Sequence, residues 1–146
     1  MNRYPLLIMM VLLGLCWIIK WLFPLNYGLG LYGKVTGLSA MSAGILLLSV
    51  AVGLFIARKT TLMPTKSPNK LVTEGIYRVT RNPMYLGMLM ILSGFPLIIG
   101  TIIGLICPLI FFLLMDRIII PREEKVVEGV IGEDYLEYKS RTRRWI

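Results

Sequence analysis

The sequence predicts an all-α integral membrane protein of about four transmembrane helices, with a C-terminal helical hairpin and an amphipathic helix in a cytosolic tail. Three observations carry that prediction. Of 146 residues, 56% are hydrophobic and only 16% charged, and the mean hydropathy is +0.73. One domain of this length, 1–146, cannot hide so much apolar surface from water, so its solvent is lipid. The Lys and Arg residues, which set a net charge of +8, avoid the apolar runs and gather in two places. Finally, the apolar run 84–120 is too long for one span. At about 1.5 Å per residue it would reach roughly 55 Å, against a hydrocarbon core of about 30 Å, so it must fold back.

The first span is 4–23. Arg3 ahead of the apolar run resembles the start of a signal peptide. The bulky Lys20-Trp21-Leu22-Phe23-Pro24 offers no cleavage site, and Leu15 before Cys16 excludes a lipoprotein signal, so the segment is expected to remain as an anchor. A link over 24–33 follows, rich in turn formers (Asn26, Gly28, Gly30, Gly33). Its Gly-x-Gly has no preceding strand and reads as an interfacial turn, with Trp21, Tyr27 and Tyr32 suited to the interface belt. The second span, 35–57, is stopped by Arg58-Lys59, and Gly37, Ser39, Ala40, Ser42, Ala43 and Gly44 offer a face for close helix approach. The third and fourth spans, about 84–99 and 101–120, should reverse near Gly94-Phe95-Pro96 or Gly100. Gly100-x-x-x-Gly104 adds a close-packing face and Pro108 a kink, and Asp116 and Arg117 are the only charges in the hairpin. In the tail, 121–146, an apolar stripe of Val126, Val127, Val130 and Ile131, then Tyr135 and Tyr138, predicts a helix over 122–141. Gly129 and Gly132 weaken it and can break it in two. Arg143-Arg144-Trp145 suits an anionic membrane surface.

Orientation follows from the basic residues. Loop 58–82 carries Arg58, Lys59, Lys66, Lys70, Arg78 and Arg81; the tail carries Arg122, Lys125, Lys139, Arg141, Arg143 and Arg144. Both should face the cytoplasm, together with both termini, in the inner (plasma) membrane if the source is bacterial. Four spans satisfy this, whereas three or five do not. No basic face interleaved with aromatics appears, so nucleic acid is not an expected partner. The chain has no histidine, and Cys16 and Cys107 lie in apolar runs, which leaves no ligand set for a metal and no disulfide framework. The thiols read as packing residues.

Two polar clusters remain. Asn82-Pro83 is a helix start, with Asn as N-cap and Pro at the first helical position. Read alone it is nothing more. Beside Arg78 and Arg81, however, its free N–H groups suit an anion, and Tyr77 and Tyr85 flank the spot. Glu123-Glu124 leaves the membrane where the hairpin returns, so it should lie near Asn82. Solvated carboxylates are ordinary, but two at a membrane exit facing a basic loop can accept ribose hydroxyls or hold a cation. Together the clusters match a zwitterionic nucleoside.

The pattern Leu71-Val72-Thr73-x-Gly75-x-Tyr77-Arg78, Arg81-Asn82-Pro83-x-Tyr85-x-Gly87, Glu123-Glu124 and Gly132-x-x-Tyr135-x-x-Tyr138 resembles the isoprenylcysteine carboxyl methyltransferase family. That family shares its C-terminal half with phospholipid N-methyltransferases, and the resemblance covers roughly 64–146. It implies S-adenosylmethionine at the cytosolic end of the bundle, beneath the C-terminal tail. It also implies cofactor contacts at Asn69, Lys70, Leu71, Val72, Tyr77, Arg81, Asn82, Pro83, Tyr85, Glu123 and Glu124. The family's usual histidine is Asn82 here, which can hydrogen-bond but cannot carry a proton.

Methyl transfer suits such a site, because in-line attack on a sulfonium methyl needs alignment and exclusion of water more than proton traffic. Arg117 or Arg122 is the candidate to hold an anionic acceptor. Arg117 equally reads as a snorkelling arginine paired with Asp116. The acceptor itself, lipophilic or small, is left open among carboxylate, thiol and amine, and so is the oligomeric state. Two other readings compete. A non-catalytic four-helix scaffold gives no reason for the two clusters, and a sterol-type reductase needs a dinucleotide larger than this chain can enclose.

Overall fold

The computed structural model describes residues 3–24, 30–57 and 71–146. The described residues form six α-helices: α1 (Arg3–Leu22), α2 (Gly30–Ala57), α3 (Pro83–Ile98), α4 (Ile106–Leu114), α5 (Ile120–Ile131) and α6 (Glu133–Arg141). Three stretches are long and apolar enough to cross a bilayer: Tyr4–Leu22, Gly30–Ala57 and Ile103–Ile131. Helix α3, with 16 residues, is shorter than these three stretches. At 1.5 Å per residue it spans about 24 Å, and it is the central helix of the bundle, with Met84, Tyr85, Met88, Ile91 and Leu92 all buried. Large apolar side chains on α1 and α2 point outward, among them Val11, Trp17, Leu38 and Leu46. In lipid that is the stable arrangement.

Helix α2 starts at Gly30, ahead of the apolar run at residue 35, and takes in the polar Lys34; the Thr36 hydroxyl donates back to the Tyr32 carbonyl at 2.8 Å. Helices α2 and α3 run antiparallel in very close contact. A Cβ on Gly37 would lie 2.6 Å from the Gly94 carbonyl oxygen, and one on Gly44 would lie 2.6 Å from that of Gly87. Gly37, Gly44 and the fully buried Ala51 recur every seven residues on α2, opposite Gly87 and Gly94 with the same spacing. Ser39, Ser42 and Ala43, expected on the same face, are exposed.

The hairpin reverses at Gly100 (φ +72°), where only glycine adopts the left-handed conformation without strain. Gly94-Phe95-Pro96 stays helical because Gly94 is committed to the α2 interface. Past the turn, Gly104 packs on the Cys16 sulfur and on Pro96, and Cys16 and Cys107 lie together in the main core with Met88, Leu92, Phe111 and Met115. The thiols serve as packing groups, as expected.

The helix of the last apolar run does not stop at residue 120. Helix continues through a wide π segment, Met115–Ile119, into α5, and the first break comes at Gly132 (φ +70°). Gly129 lies inside α5. The π segment has an identifiable cause: Pro121 has no N–H to return to the preceding turn. Its effect is to rotate everything downstream by about one residue, roughly 100°. In an unbroken α register Ile118 and Arg122 would share the core face of Phe111 and Met115. They are exposed instead, and Ile120 and Glu124 are buried.

Candidate active site at one end of the bundle

Helix polarity brings the start of α3, the end of the α4–α5 rod and the last residues of the chain to one end of the molecule. The segment 71–82 approaches over a small second core of Ala51, Val72, Tyr77 and Met84. There the Tyr77 ring packs edge-on against Phe55, with centroids 5.3 Å apart, and the Tyr77 carbonyl accepts a hydrogen bond from the Tyr138 hydroxyl at 2.7 Å. Val72 and Tyr77 thus fix the loop, and Leu71 is half-buried beside them. Asn69 and Lys70 lie outside the described residues.

The two polar clusters meet directly. Tyr85, buried on the first turn of α3, donates its hydroxyl to Glu123 Oε2 at 2.7 Å. Glu124 sits between two guanidiniums: Arg81 Nη2 donates to Oε1 and Arg144 Nη2 donates to Oε2, each at 3.0 Å. The Glu124 and Arg81 side chains are only 9% and 10% exposed, so this is a buried pair whose charges depend on one another. Arg81 Nη1 also donates to the carbonyls of Lys139 and Thr142, both at 2.8 Å. Asn82 precedes Pro83 as expected, but its side chain makes no helix-capping bond; Nδ2 donates 3.1 Å to the Arg144 carbonyl instead.

Sequence reasoning missed the partners on the far side. Arg144 Nη1 reaches Asp116 Oδ1 at 3.2 Å, and the Trp145 indole N–H donates to the same oxygen at 3.0 Å. The Trp145 ring lies 5.1 Å from Phe112. Arg144 and Trp145 therefore turn inward rather than facing an anionic surface. The available signal was Asp116 itself, a carboxylate within an apolar span that requires a partner. Arg117 is 78% exposed and pairs with Asp116 at 3.5 Å. Arg122 is exposed on α5, away from Glu124.

Beside Glu124 and Arg144 an open groove of about 550 Å³ runs between α5 and α6. Its walls carry both signs of charge: Glu124 and Glu128, Lys125 and Lys139, and Arg144. The Nε atoms of Arg81 and Arg144 are buried without a hydrogen-bond partner among the described residues. Donors of this kind are costly unless something accepts from them.

A family model described as phospholipid methyltransferase matches residues 32–134, which takes in α3, the rod and both polar clusters. The chain belongs to the phospholipid methyltransferase family. This family is related to the isoprenylcysteine carboxyl methyltransferases, and its members are methyltransferases that use S-adenosylmethionine. The protein is therefore a membrane methyltransferase. An uncharacterised protein of Haemophilus influenzae is 36% identical over 63 residues, which is 100% of that protein and 43% of this chain. No solved structure matches.

Among the groups outside the spans, burial above all, and the nearby Glu124 after it, push the Tyr135 phenol of this methyltransferase from 10.0 up to about 12. Tyr138 is raised as well, chiefly by burial. The folded protein keeps protons that the unfolded chain gives up, so the stability these two phenols contribute is level below pH 10 and falls as pH rises from about 10 to 12. Near-ultraviolet titration should find both phenols silent at about pH 11 and ionised once the protein is unfolded at that pH. Ordinary titration of both in the folded protein would contradict their placement.

Proposed function

We propose that this methyltransferase binds S-adenosylmethionine at the end of the bundle where the two polar clusters meet. The methyl group goes to a lipophilic or small acceptor (a carboxylate, thiol or amine) at the cytosolic membrane face. The observation that carries the reading is the direct joining of residues 81–85 to Glu123 and Glu124, next to a groove lined by both charges. When bound, the cofactor supplies an electrophilic methyl on a sulfonium.

The residues present fit such a ligand. A zwitterionic amino-acid end needs a cation and an anion side by side, and Lys125, Lys139, Glu128 and Glu124 provide them. The Nε–H groups of Arg81 and Arg144, without a partner among the described residues, are donors awaiting an acceptor. Tyr85 orients the Glu123 carboxylate through its hydroxyl, and Pro83 begins α3 with Asn82 at its mouth. Leu71, Val72 and Tyr77, with Asn69 and Lys70 ahead of them, form the approach to the site. Arg117 and Arg122, at the exposed edge of the rod, are the groups available to an anionic acceptor arriving from the bilayer. The basic residues at this end favour a cytoplasmic orientation, in the inner membrane if the source is bacterial.

The test is a titration of the purified protein in nanodiscs with S-adenosylmethionine, with Glu123→Gln and Tyr85→Phe alongside. Micromolar binding is expected for the wild type. Glu123→Gln should weaken it at least tenfold, and Tyr85→Phe by less, since only the orienting hydroxyl is lost. No binding by a wild type that melts cooperatively would sink the assignment.

A further inference from the structure

The two polar clusters are also held by residues beyond the stretch that the family model matches. The match ends at residue 134, yet Arg81, Asn82 and Glu124 are each held by residues 142–145. This strap runs beside 80–82 as a short parallel bridge from Thr80 to Arg143, with the Arg81 N–H donating to the Arg143 carbonyl at 2.9 Å. The Arg144 carbonyl accepts from Thr80 Oγ1 and from Asn82 Nδ2, both at 3.1 Å. Its guanidinium forks between the Glu124 and Asp116 carboxylates, and Trp145 anchors the far end on Asp116 and Phe112. A strand of arginines attracted only to a charged membrane surface would make none of these bonds.

We infer that Arg144, within the strap 142–145, is a positioning residue that sets the Glu124 carboxylate and the Asn82 amide. The inference rests on the cofactor reading above. Held by Arg81 alone, the Glu124 carboxylate keeps rotational freedom; a second guanidinium on its other oxygen fixes its plane. Satisfying two carboxylates at once takes the planar fork of arginine, whereas a lysine ammonium serves one well and the other poorly. Glu124, through its hydrogen bond, and then Asp116 raise the Arg144 guanidinium above its ordinary value. Asp116 can serve as anchor because it lies in the π segment, where the rod is already wound to face the strap.

The experiment measures S-adenosylmethionine affinity and melting temperature together, on the full chain in nanodiscs. The variants are Arg144→Ala, Arg144→Lys, Glu124→Gln and the double Arg144→Ala/Glu124→Gln. Arg144→Ala should weaken binding at least tenfold, and Arg144→Lys should recover part of it. The double variant should bind no worse than Glu124→Gln alone, because Arg144 acts through Glu124. Wild-type binding that Arg144→Ala leaves unchanged overturns the strap's role and spares the cofactor reading. Losses that add in the double variant, track the melting temperature and are not recovered by lysine also overturn it, since the strap would then only hold the fold. Should the alanine variant not fold, the lysine variant decides: binding weakened at an unchanged melting temperature supports the role, and equal affinity ends it. A wild type that binds nothing overturns both claims, and the first titration alone separates that case.

Discussion

Replacing Glu124 by alanine is expected to destabilise the folded protein by about 3 kcal/mol, the low end of the cost of removing one member of a buried ion pair. The loss leaves two guanidiniums facing an empty space. Arg81 has little recourse, being 10% exposed, whereas Arg144 at 32% regains some hydration, which is why the low end applies. Glutamine should be milder but not neutral: its carbonyl satisfies one arginine while its amide N–H₂ confronts the other. Glu128→Ala is the internal comparison. Its partner Lys139 is 37% exposed and Glu128 itself 40%, and such a pair is worth about 1 kcal/mol at most. Thermal unfolding in detergent should separate the two variants clearly. Equal losses would mean that Glu124 is not the buried hub described here.

Gly94→Val is expected to act on the fold as strongly, by forcing α2 and α3 apart. Its new Cβ would overlap the Gly37 carbonyl and lie 2.7 Å from Met41 Cγ. The methionine can move aside; a helix backbone carbonyl cannot. Overpacking of this kind costs about 1–3 kcal/mol, and with backbone on the opposing side the upper end, about 3 kcal/mol, applies. Gly53→Ala provides the contrast, since nothing lies within 4 Å of its Cβ position and alanine favours helix by about 1 kcal/mol. A lower melting temperature for Gly94→Val with a level or raised one for Gly53→Ala is the expected pair of results. No loss in the valine variant would refute the close approach.

Much of the architecture was legible because hydropathy and length act residue by residue. The first two apolar runs, the forced reversal of 84–120 and the break at Gly132 all follow from local chemistry. The meeting of Tyr85 with Glu123 was accessible through motif spacing and the hairpin together. What could not be read were features set by more than one segment. The seven-residue recurrence of small residues on α2 and α3 identifies the contact face only when both helices are considered, so Ser39, Ser42 and Ala43 were grouped with Gly37 and Gly44. Arg144 and Trp145 looked like a membrane-surface signal because their partner, Asp116, is nearly thirty positions away. Asn82 was read as a cap from its neighbour Pro83, but in the folded chain its side chain makes no capping bond and its Nδ2 donates to the Arg144 carbonyl.

The wide turn at Met115–Ile119 has a consequence for how the glutamate pair is to be understood. In effect it is one surplus residue in the winding, so the meaning of Glu123-Glu124 depends on a count as much as on identity. Winding Met115–Ile119 as regular α-helix, with no residue removed, would change the phase with every residue of both polar clusters still in place. Ile118 and Arg122 would then swing toward the interior, and Glu124 would swing out toward lipid, away from Arg81 and Arg144. Two chains could share the same letters at the same motif and yet present opposite faces of this helix, one with a site and one without.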